Sequence, residues 1–159
     1  MPEILDPCCG SKMFYFDKAN PNVLFCDIRS GVDETLCDGR SFKVDPDKVI
    51  DVTDMPFENA SFSLIVLDPP HLNRAGDGWQ AMKYGKLPDD WRSFIRDAFA
   101  ECWRVLKPNG TIVFKWYEYR IKLSEILEIL PEKPIFGNKR PHMSKTHWLV
   151  FFKPEEVIE

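Results

Sequence analysis

Short apolar runs separated by turn residues recur along the chain and predict a series of β-strands. In the central runs, such as LIVL at 64–67 and IVF at 112–114, apolar residues follow one another without alternating with polar ones. This pattern is typical of strands that are covered on both faces, as in a parallel sheet. The predicted strands cover residues 3–6, 22–27, 48–52, 63–68, 111–116, 133–136 and 147–153.

Two further segments have apolar residues at intervals of three and four, which is the spacing of a helix that packs on a sheet. The first runs from 90 to 106, with Asp89 or Asp90 as its cap, and the sequence KPNG at 107–110 ends it. The second runs from about 120 to 130 and is followed by a proline.

The connections after the first two strands are too short or too polar for full helices. Residues 11–16 leave room for little more than one turn, and residues 29–47 are polar and contain Gly31, Gly39 and Pro46. We therefore predict an α/β fold, a single doubly wound Rossmann-like sheet that is mostly parallel, with truncated early helices.

The size and composition indicate one globular domain over residues 1–159. A chain of 159 residues with 44% hydrophobic and 29% charged residues suits a single domain and argues against general disorder. Its net charge of −4 gives no overall attraction to nucleic acid or to an anionic membrane, so such a site must be a local basic patch. No apolar run approaches the roughly 20 residues of a membrane helix, and we expect no separate target-recognition domain.

The chain has five cysteines, Cys8, Cys9, Cys26, Cys37 and Cys102. An odd number, without a secretory signal before the first strand, predicts a reduced, cytoplasmic protein. A zinc site built from the first four is the alternative. No pair has the C-x2-C spacing of zinc knuckles, and adjacent cysteines point in different directions on an extended chain. We therefore predict small buried residues and no bound metal.

Acidic residues end the first two predicted strands. Asp6 ends the first strand and precedes a turn that contains Gly10, where a glycine lets the backbone approach a ligand. Asp27 ends the second strand roughly 20 residues later, where a carboxylate can bind two ribose hydroxyls. The plainer interpretation is that both carboxylates only stabilise loops.

The third strand supplies a further pair of polar groups. Asp51 can accept a hydrogen bond from an adenine amino group, while the N–H of Val52 can donate to a ring nitrogen; Asp54 is the alternative to Asp51. Together these groups favour an adenosine ligand. The absence of a Gly-x-Gly-x-x-Gly run argues against a dinucleotide.

Four segments, ILDPCCG, LFCDIR, DVTDMPFENASFSLIVLDPPH and ECWRVLKPNGTIVFKW, resemble successive segments of class I S-adenosylmethionine-dependent methyltransferases. The resemblance extends from residue 4 to about residue 153 and departs from the family at Lys12, where a further glycine is usual. It implies the sheet order 3-2-1-4-5-7-6 with an antiparallel last strand, and S-adenosyl-L-methionine as cofactor. The cofactor contacts that we predict from it are Asp6, Pro7, Cys8, Gly10, Asp27, Ile28, Asp51, Val52 and Asp68.

The sequence Asp68-Pro69-Pro70-His71, directly after the fourth strand, resembles the D/N/S-P-P-aromatic motif of methyltransferases that act on planar amino nitrogens. The lone pair of such a nitrogen is delocalised, so accepting hydrogen bonds from both of its N–H groups favours attack. Asp68 and the carbonyl of Pro69 can be the two acceptors, because proline fixes φ and restricts the residue before it. His71 would stack on the target and can titrate. A rigid turn without catalytic function is the alternative.

Two basic segments are predicted to contact the substrate. Residues 72–90 form a long connection beside the motif, which is either a lid or a mobile connector. Residues 137–147 form a basic turn between the last two strands, which suits phosphate contacts or is a solvated tip. The predicted substrate contacts are His71, Arg74, Trp79, Lys115, Lys139, Arg140 and Lys145.

These observations predict a compact methyltransferase that modifies adenine N6 or cytosine N4 in DNA or RNA. The base would be single-stranded or flipped out of a duplex, and a homodimer or a partner subunit could supply target recognition. One alternative is methylation of a protein amide or a small molecule. Another, motivated by Lys12 and His71, is a non-catalytic subunit that keeps the fold. A domain binding another nucleotide is disfavoured by the missing phosphate loop.

Overall fold

A computed structural model of the protein describes residues 1–36, 38–72, 79–138 and 144–155. The strands are β1 (Ile4–Asp6), β2 (Val23–Asp27), β3 (Val32–Thr35), β4 (Ser41–Val44), β5 (Lys48–Val49), β6 (Phe62–Leu67), β7 (Leu106–Tyr117), β8 (Phe136–Gly137) and β9 (Thr146–Phe152). The helices are α1 (Trp79–Tyr84), α2 (Trp91–Val105) and α3 (Leu123–Ile129). The chain is thus a mixed α/β fold, as the alternation of apolar runs and helical patterns predicts.

Seven strands form one sheet in the order β5-β2-β1-β6-β7-β9-β8. The strands from β5 to β7 pair in parallel, and β9 is antiparallel to both of its neighbours. Strands β3 and β4 form a separate hairpin, so the labels are shifted from those of the prediction. When the strands of the large sheet are numbered by themselves, their order is 3-2-1-4-5-7-6. The predicted Rossmann-like sheet with an antiparallel last strand is confirmed.

The centre of the sheet is covered by apolar packing. The core includes Ile65 and Leu67 of β6 and Ile112 and Phe114 of β7, each at most 1% exposed. Helix α2 packs on this part of the sheet through its apolar face, whose buried residues are Trp91, Ile95, Ala98, Phe99, Cys102 and Val105. Burying one large apolar side chain stabilises the fold by about 1.5–3 kcal/mol, so this layer holds the strand ends of β6 and β7 in place.

Helix α2 begins where the sequence predicts and ends earlier. The carboxylate of Asp90 caps it by accepting a hydrogen bond from the N–H of Ser93 at 3.2 Å. The helix ends at Val105, and residues 107–110, predicted as its terminator, belong to β7. The strand accommodates this early start because Asn109 has a φ of +62° and the pairing with β6 shifts register near its beginning.

The polar segment after β2 contains the β3–β4 hairpin, which the sequence analysis missed. Its turn closes through a hydrogen bond from the N–H of Leu36 to the carbonyl of Arg40, and Gly39 has a φ of +81° there. In β4, Phe42 and Val44 are buried while Ser41 and Lys43 are exposed. This alternation is a strand signal, but four residues in a polar context are easily overlooked.

Two other segments differ from the prediction. Strand β5 pairs with β2 over Lys48–Val49 only, because Asp51 instead forms a bridge with Asp54. The long connection after the Asp-Pro-Pro-His motif contains α1, so it is partly helical. Among the described residues, the helices are all too short or too polar to traverse a bilayer.

Candidate functional site

A cavity of about 580 Å³ lies at the carboxyl ends of β1, β2 and β6. The strand order reverses at β1, since β2 and β5 lie on one side of it and β6 and β7 on the other, and ligands of doubly wound sheets bind at such switch points. Seven of the nine predicted cofactor contacts line the cavity: Pro7, Cys8, Asp27, Ile28, Asp51, Val52 and Asp68. The sequence therefore locates most of this wall correctly.

Asp6, the eighth predicted contact, is completely buried and does not line the cavity. Its carboxylate accepts hydrogen bonds from the N–H of Cys8 at 3.1 Å and from the hydroxyl of Tyr15 at 2.9 Å. Burial raises the pKa of Asp6 to about 8, although both hydrogen bonds act in the opposite direction. The prediction of a direct cofactor contact is corrected, since Asp6 holds the turn after β1.

The carboxylate of Asp27 links the turns that follow β1 and β2. Its Oδ2 accepts from the N–H of Gly10 at 2.9 Å, and its Oδ1 accepts from the N–H and the Nε of Arg29 at 2.9 and 3.0 Å. The N–H of Gly10, the ninth predicted contact, is therefore bonded to Asp27, and Gly10 does not line the large cavity. The Nη2 of Arg29 also donates to Oδ2 at 3.4 Å, so both acceptor positions of each oxygen have a protein donor, and a ligand hydroxyl would have to share or displace the bonds from Arg29.

The part of the cavity formed by the residues after β2 and β5 combines apolar and polar groups. Ile28 is 65% exposed, an unusual state for an isoleucine, and it lines the cavity opposite a buried Val52. The Oδ1 of Asp51 accepts from the N–H and hydroxyl of Thr53 at 2.8 and 2.7 Å, which fixes the orientation of its carboxylate. An apolar face next to an oriented acceptor suits a flat ring that carries an amino group.

Asp68 follows β6 and is held by a residue of the neighbouring strand. The Nζ of Lys115 donates to its Oδ2 at 2.7 Å, and both side chains are largely buried. Burial raises the pKa of Asp68, and the ammonium group lowers it. Lys115, predicted as a substrate contact, thus contacts Asp68, and its Nζ also lies 5.3 Å from the ring centroid of Phe14. Within the described residues, Oδ2 is the only oxygen of Asp68 that receives a hydrogen bond.

A small cleft of about 40 Å³ adjoins the large cavity on the other side of Asp68. Gly10 and Phe14 of the first turn and Pro69 and His71 of the motif line it. Asp68, Cys8, Arg29 and Tyr84 line both spaces. The carboxylate of Asp68 is therefore in the wall shared by a ligand-sized cavity and a cleft that holds a few water-sized groups.

The ring of His71 is buried between two tyrosines. Its centroid is 5.2 Å from that of Tyr84 and 5.2 Å from that of Tyr117, in tilted and edge-on arrangements. Burial, with a smaller effect of Lys115, lowers the pKa of His71 to about 4. The imidazole is therefore neutral at physiological pH, and the predicted titration of His71 falls well below that range.

Residues 84–89 cover the motif and complete the wall of the large cavity. The N–H of Leu87 donates to the carbonyl of Leu72 at 2.9 Å. Gly85 has a φ of +75°, and a β-carbon there would lie 3.3 Å from Pro70, so a glycine suits this close approach. Whether the connection acts as a lid or is a connector whose aromatic residues pack on the sheet stays a prediction.

The remaining predicted substrate contacts are only partly described. Arg74, Lys139 and Arg140 lie outside the described residues, and Trp79 begins α1 but its side chain also lies outside them. Lys145 is exposed directly before β9, and its carbonyl accepts from the N–H of Glu118 at 2.8 Å. The grouping of these cations around the cleft stays a prediction.

Two residues of the site have no counterpart in the sequence analysis. Arg29 lines both cavities, and Tyr117 flanks His71. Arg29 follows Asp27 by two positions, and a cation so close to a strand-end carboxylate is a usable signal. Tyr117 offers none, because its contact depends on how distant segments pack. Tyr84, which the sequence indicates as an aromatic residue of the long connection that could stack on a base, lies against the ring of His71.

The described cysteines are free thiols, and burial raises the pKa of Cys8. Cys37, a member of the alternative zinc set, lies outside the described residues. Among the residues that are described, histidine, cysteine and acidic side chains form no group of three or more suited to a metal ion.

A comparison of the sequence with models of known protein families gives no match, and a comparison with curated proteins gives none either. The functional argument therefore depends on the geometry of the site and on the chemistry of its residues.

Proposed function

We propose that this protein is an S-adenosylmethionine-dependent methyltransferase that modifies an exocyclic amino nitrogen, adenine N6 or cytosine N4, of a nucleobase in DNA or RNA. One observation carries the proposal. The carboxylate of Asp68 lies between a cavity large enough for a cofactor and a small cleft, and a rigid Pro69-Pro70 pair follows it. An acceptor in this position can face both a bound donor and a flat amino group.

The large cavity fits S-adenosyl-L-methionine in size and chemistry. Its volume of about 580 Å³ is within the range of roughly 300–1,000 Å³ that is usual for small-molecule sites. Asp27 would bind the ribose hydroxyls, Asp51 and Val52 would bind the adenine edge, and Ile28 would pack on its face. Carboxylates in the wall favour a sulfonium cation over an anionic ligand. When bound, the cofactor supplies an electrophilic methyl group.

Asp68 and Pro69 would orient and activate the target nitrogen. Its two N–H groups would donate to the Asp68 carboxylate and to the Pro69 carbonyl, which raises the electron density on the nitrogen. Proline fixes its own φ and holds the preceding residue extended, so both oxygens are positioned before the substrate binds. Once methylated, the nitrogen must lose a proton, and Asp68 or water can accept it.

Lys115 and His71 would support this arrangement in different ways. The ammonium group stabilises the ionised form of a carboxylate whose burial favours the neutral form. It bonds Oδ2, which leaves Oδ1 available to accept from the substrate. The neutral ring of His71 lines the cleft and would offer an apolar face to the base, with no charge to desolvate.

The decisive experiment compares Asp68→Ala with the exposed-carboxylate control Asp97→Ala, whose side chain pairs only with Arg96 at the surface of α2. Methyl transfer from labelled cofactor to single-stranded DNA and RNA is measured, and the modified nucleosides are identified by mass spectrometry. We expect a loss of about 10²-fold or more for Asp68→Ala, because a preorganised acceptor is removed, and no loss for the control.

Cofactor binding by calorimetry separates catalytic failure from loss of the cavity. Asp68→Ala should still bind S-adenosyl-L-methionine within a few-fold of the unchanged protein. Turnover by a folded Asp68→Ala variant at near the original rate contradicts the proposed role. Failure of the unchanged protein to bind the cofactor contradicts the proposal as a whole and favours a non-catalytic subunit.

A further inference from the structure

A second large depression, of about 490 Å³, lies beside the cleft and outside the proposed cofactor cavity. The turn after β1 forms one wall, and the unexpected β3–β4 hairpin forms another. We name it the basic groove after the five cations that line it: Lys12, Lys18, Arg40, Lys43 and Lys83. The protein carries a net charge of −4, so this local excess of positive charge is opposite to the overall balance.

We propose that the basic groove binds the sugar-phosphate backbone of a single nucleic-acid strand and directs one base of that strand into the cleft at Asp68. The inference rests on the proposed function. It adds the place on the protein at which the nucleic-acid strand binds. It concerns residues other than the basic turn at 137–147 that the sequence indicates.

Lys12 and Lys18 stabilise the wall of the groove that is formed by the turn after β1. The Nζ of Lys12 donates to the carbonyl of Lys18 at 3.2 Å, and the Nζ of Lys18 donates to the carbonyl of Ser11 at 3.1 Å. An ammonium group has three N–H donors, so each keeps further donors for a phosphate. The two charges are held in place without consuming their capacity to bind an anion.

The backbone at Lys12 is in a conformation that favours glycine. Its φ is +55°, which is uncommon for a residue with a β-carbon and costs of order 1 kcal/mol. A glycine is usual at this position in the family that the sequence resembles. A lysine that occupies such a position despite the cost indicates that its side chain is used, and it lines the groove.

The hairpin supplies the cations of the opposite wall, each with an acidic neighbour. Arg40 pairs with Asp38 at 2.6 Å, and Lys43 pairs with Asp45 at 3.1 Å, the latter carboxylate also lining the groove. All four side chains are at least 46% exposed. Such exposed pairs are weak, so a phosphate can share or displace the carboxylate. The groove keeps a positive balance because Lys12 and Lys18 add to it.

The basic groove adjoins the cleft. Ser11, Met13 and Lys83 line both of them, and Asp68 lines the cleft. A strand in the groove would therefore lie next to the cleft that contains the acceptor. Met13 is 50% exposed, and Phe16, in the same turn as Lys18, is fully exposed. Apolar and aromatic surface beside phosphate-binding cations is typical of single-strand binding and favours a nucleic acid over an acidic peptide.

The test is equilibrium binding of fluorescently labelled 20-residue single-stranded DNA and RNA, measured by anisotropy at several salt concentrations. The groove variant is Lys18→Gln with Lys43→Gln. The matched control is Arg96→Gln with Lys107→Gln, which removes two exposed positive charges away from the groove, each also paired with a carboxylate. Circular dichroism checks that both variants remain folded.

We expect the groove variant to bind at least one of the two polymers about 10-fold more weakly, while the control binds within two-fold of the unchanged protein. The slope of log Kd against the logarithm of the salt concentration should also fall by about 1.4, because each phosphate contact on a single strand contributes about 0.7 to this slope and two contacts are lost. Equal binding by the groove variant and the control overturns the inference. Competition by poly-glutamate at equal charge concentration overturns the choice of a nucleic acid.

Methyl transfer to the same oligonucleotides, measured for the unchanged protein and for the groove variant, distinguishes a failure of this inference from a failure of the proposed function. If the groove variant weakens binding but no polymer is methylated, the groove is supported and the proposed activity fails. If methylation occurs and the groove variant binds and methylates normally, the activity is supported and the groove inference fails.

Discussion

Asp6 and Asp68 end neighbouring parallel strands, yet their carboxylates have different surroundings. Asp6 receives its donors from its own segment, the N–H of Cys8 and the hydroxyl of Tyr15, and it is sealed from both cavities. Asp68 receives one donor, Lys115, from an adjacent strand, and it lines both cavities. A strand-end carboxylate whose hydrogen bonds all come from its own segment stabilises a turn. A carboxylate held by one cation from another segment keeps an oxygen that can accept a hydrogen bond from a ligand.

Lys115→Met is expected to have the largest effect on this contrast. The variant keeps the length of the side chain but removes the charge that stabilises ionised Asp68, so we expect kcat/KM at pH 7 to fall about 10–100-fold. Because the carboxylate is the active form and its pKa rises further, activity should recover as pH increases. A pH profile of methyl transfer measures both effects.

Lys107→Met is the matched control for this substitution. Lys107 also lies 2.7 Å from a carboxylate, that of Glu3, but this pair is exposed at the opposite end of β7. The control should leave the profile unchanged. If Lys115→Met also leaves both rate and profile unchanged, Lys115 does not support Asp68 in the reaction.

Asp6→Asn should change the pH dependence of stability rather than the chemistry at Asp68. Burial raises the folded-state pKa of Asp6 to about 8, above its ordinary value of 3.8, so the folded state binds a proton that the unfolded state releases. Stability therefore falls as pH rises between these values, by at most about 1.4 kcal/mol per pH unit.

Denaturant unfolding at pH 5, 6, 7 and 8 measures this slope. In Asp6→Asn the part of the slope that is due to this proton should disappear. Asp51→Asn, which alters an exposed carboxylate of the large cavity, is the control and should keep the part of the slope that is due to Asp6. An unchanged slope in Asp6→Asn would show that Asp6 is ionised when the protein is folded.

His71→Phe should have the smallest effect. Phenylalanine keeps a flat ring between Tyr84 and Tyr117, and the imidazole that it replaces is already neutral above a pH of about 4. We expect methyl transfer within about three-fold and the same pH profile from 6 to 9. His71→Ala, which removes the ring, serves as the comparison and should raise KM. A profile that changes between pH 6 and 9 in His71→Phe would assign a titrating function to His71.

The sheet and most residues of the cavity wall could be predicted from the sequence. Both follow from the pattern of the buried strands and from the residues directly after each strand. Continuous apolar runs identify the central strands, and the residues after them are carried to the same edge of a parallel sheet. Asp27, Asp51 and Asp68 therefore line the cavity as the sequence indicates.

The orientation of individual side chains was harder to predict from the sequence. The inward orientation of Asp6 depends on Tyr15, whose position is set by the fold of the whole turn. The pairing of Asp68 with Lys115 follows from register, since Leu67 pairs with Phe114 and the next residues of the two strands are neighbours. The sequence does not fix this register, because continuous apolar runs on both strands lack the alternation that would specify which residues pair.

The single hydrogen bond from Leu87 to Leu72 has an evolutionary consequence. It joins the two ends of the intervening stretch at neighbouring points, next to the close contact of Gly85 with Pro70. The entropic cost of closing a loop grows only slowly with its length, so insertions or replacements between these anchor points disturb the rest of the fold little. Substrate preference can therefore diversify by exchange of the part of this segment before Tyr84, while β6 and the motif that follows it are inherited intact.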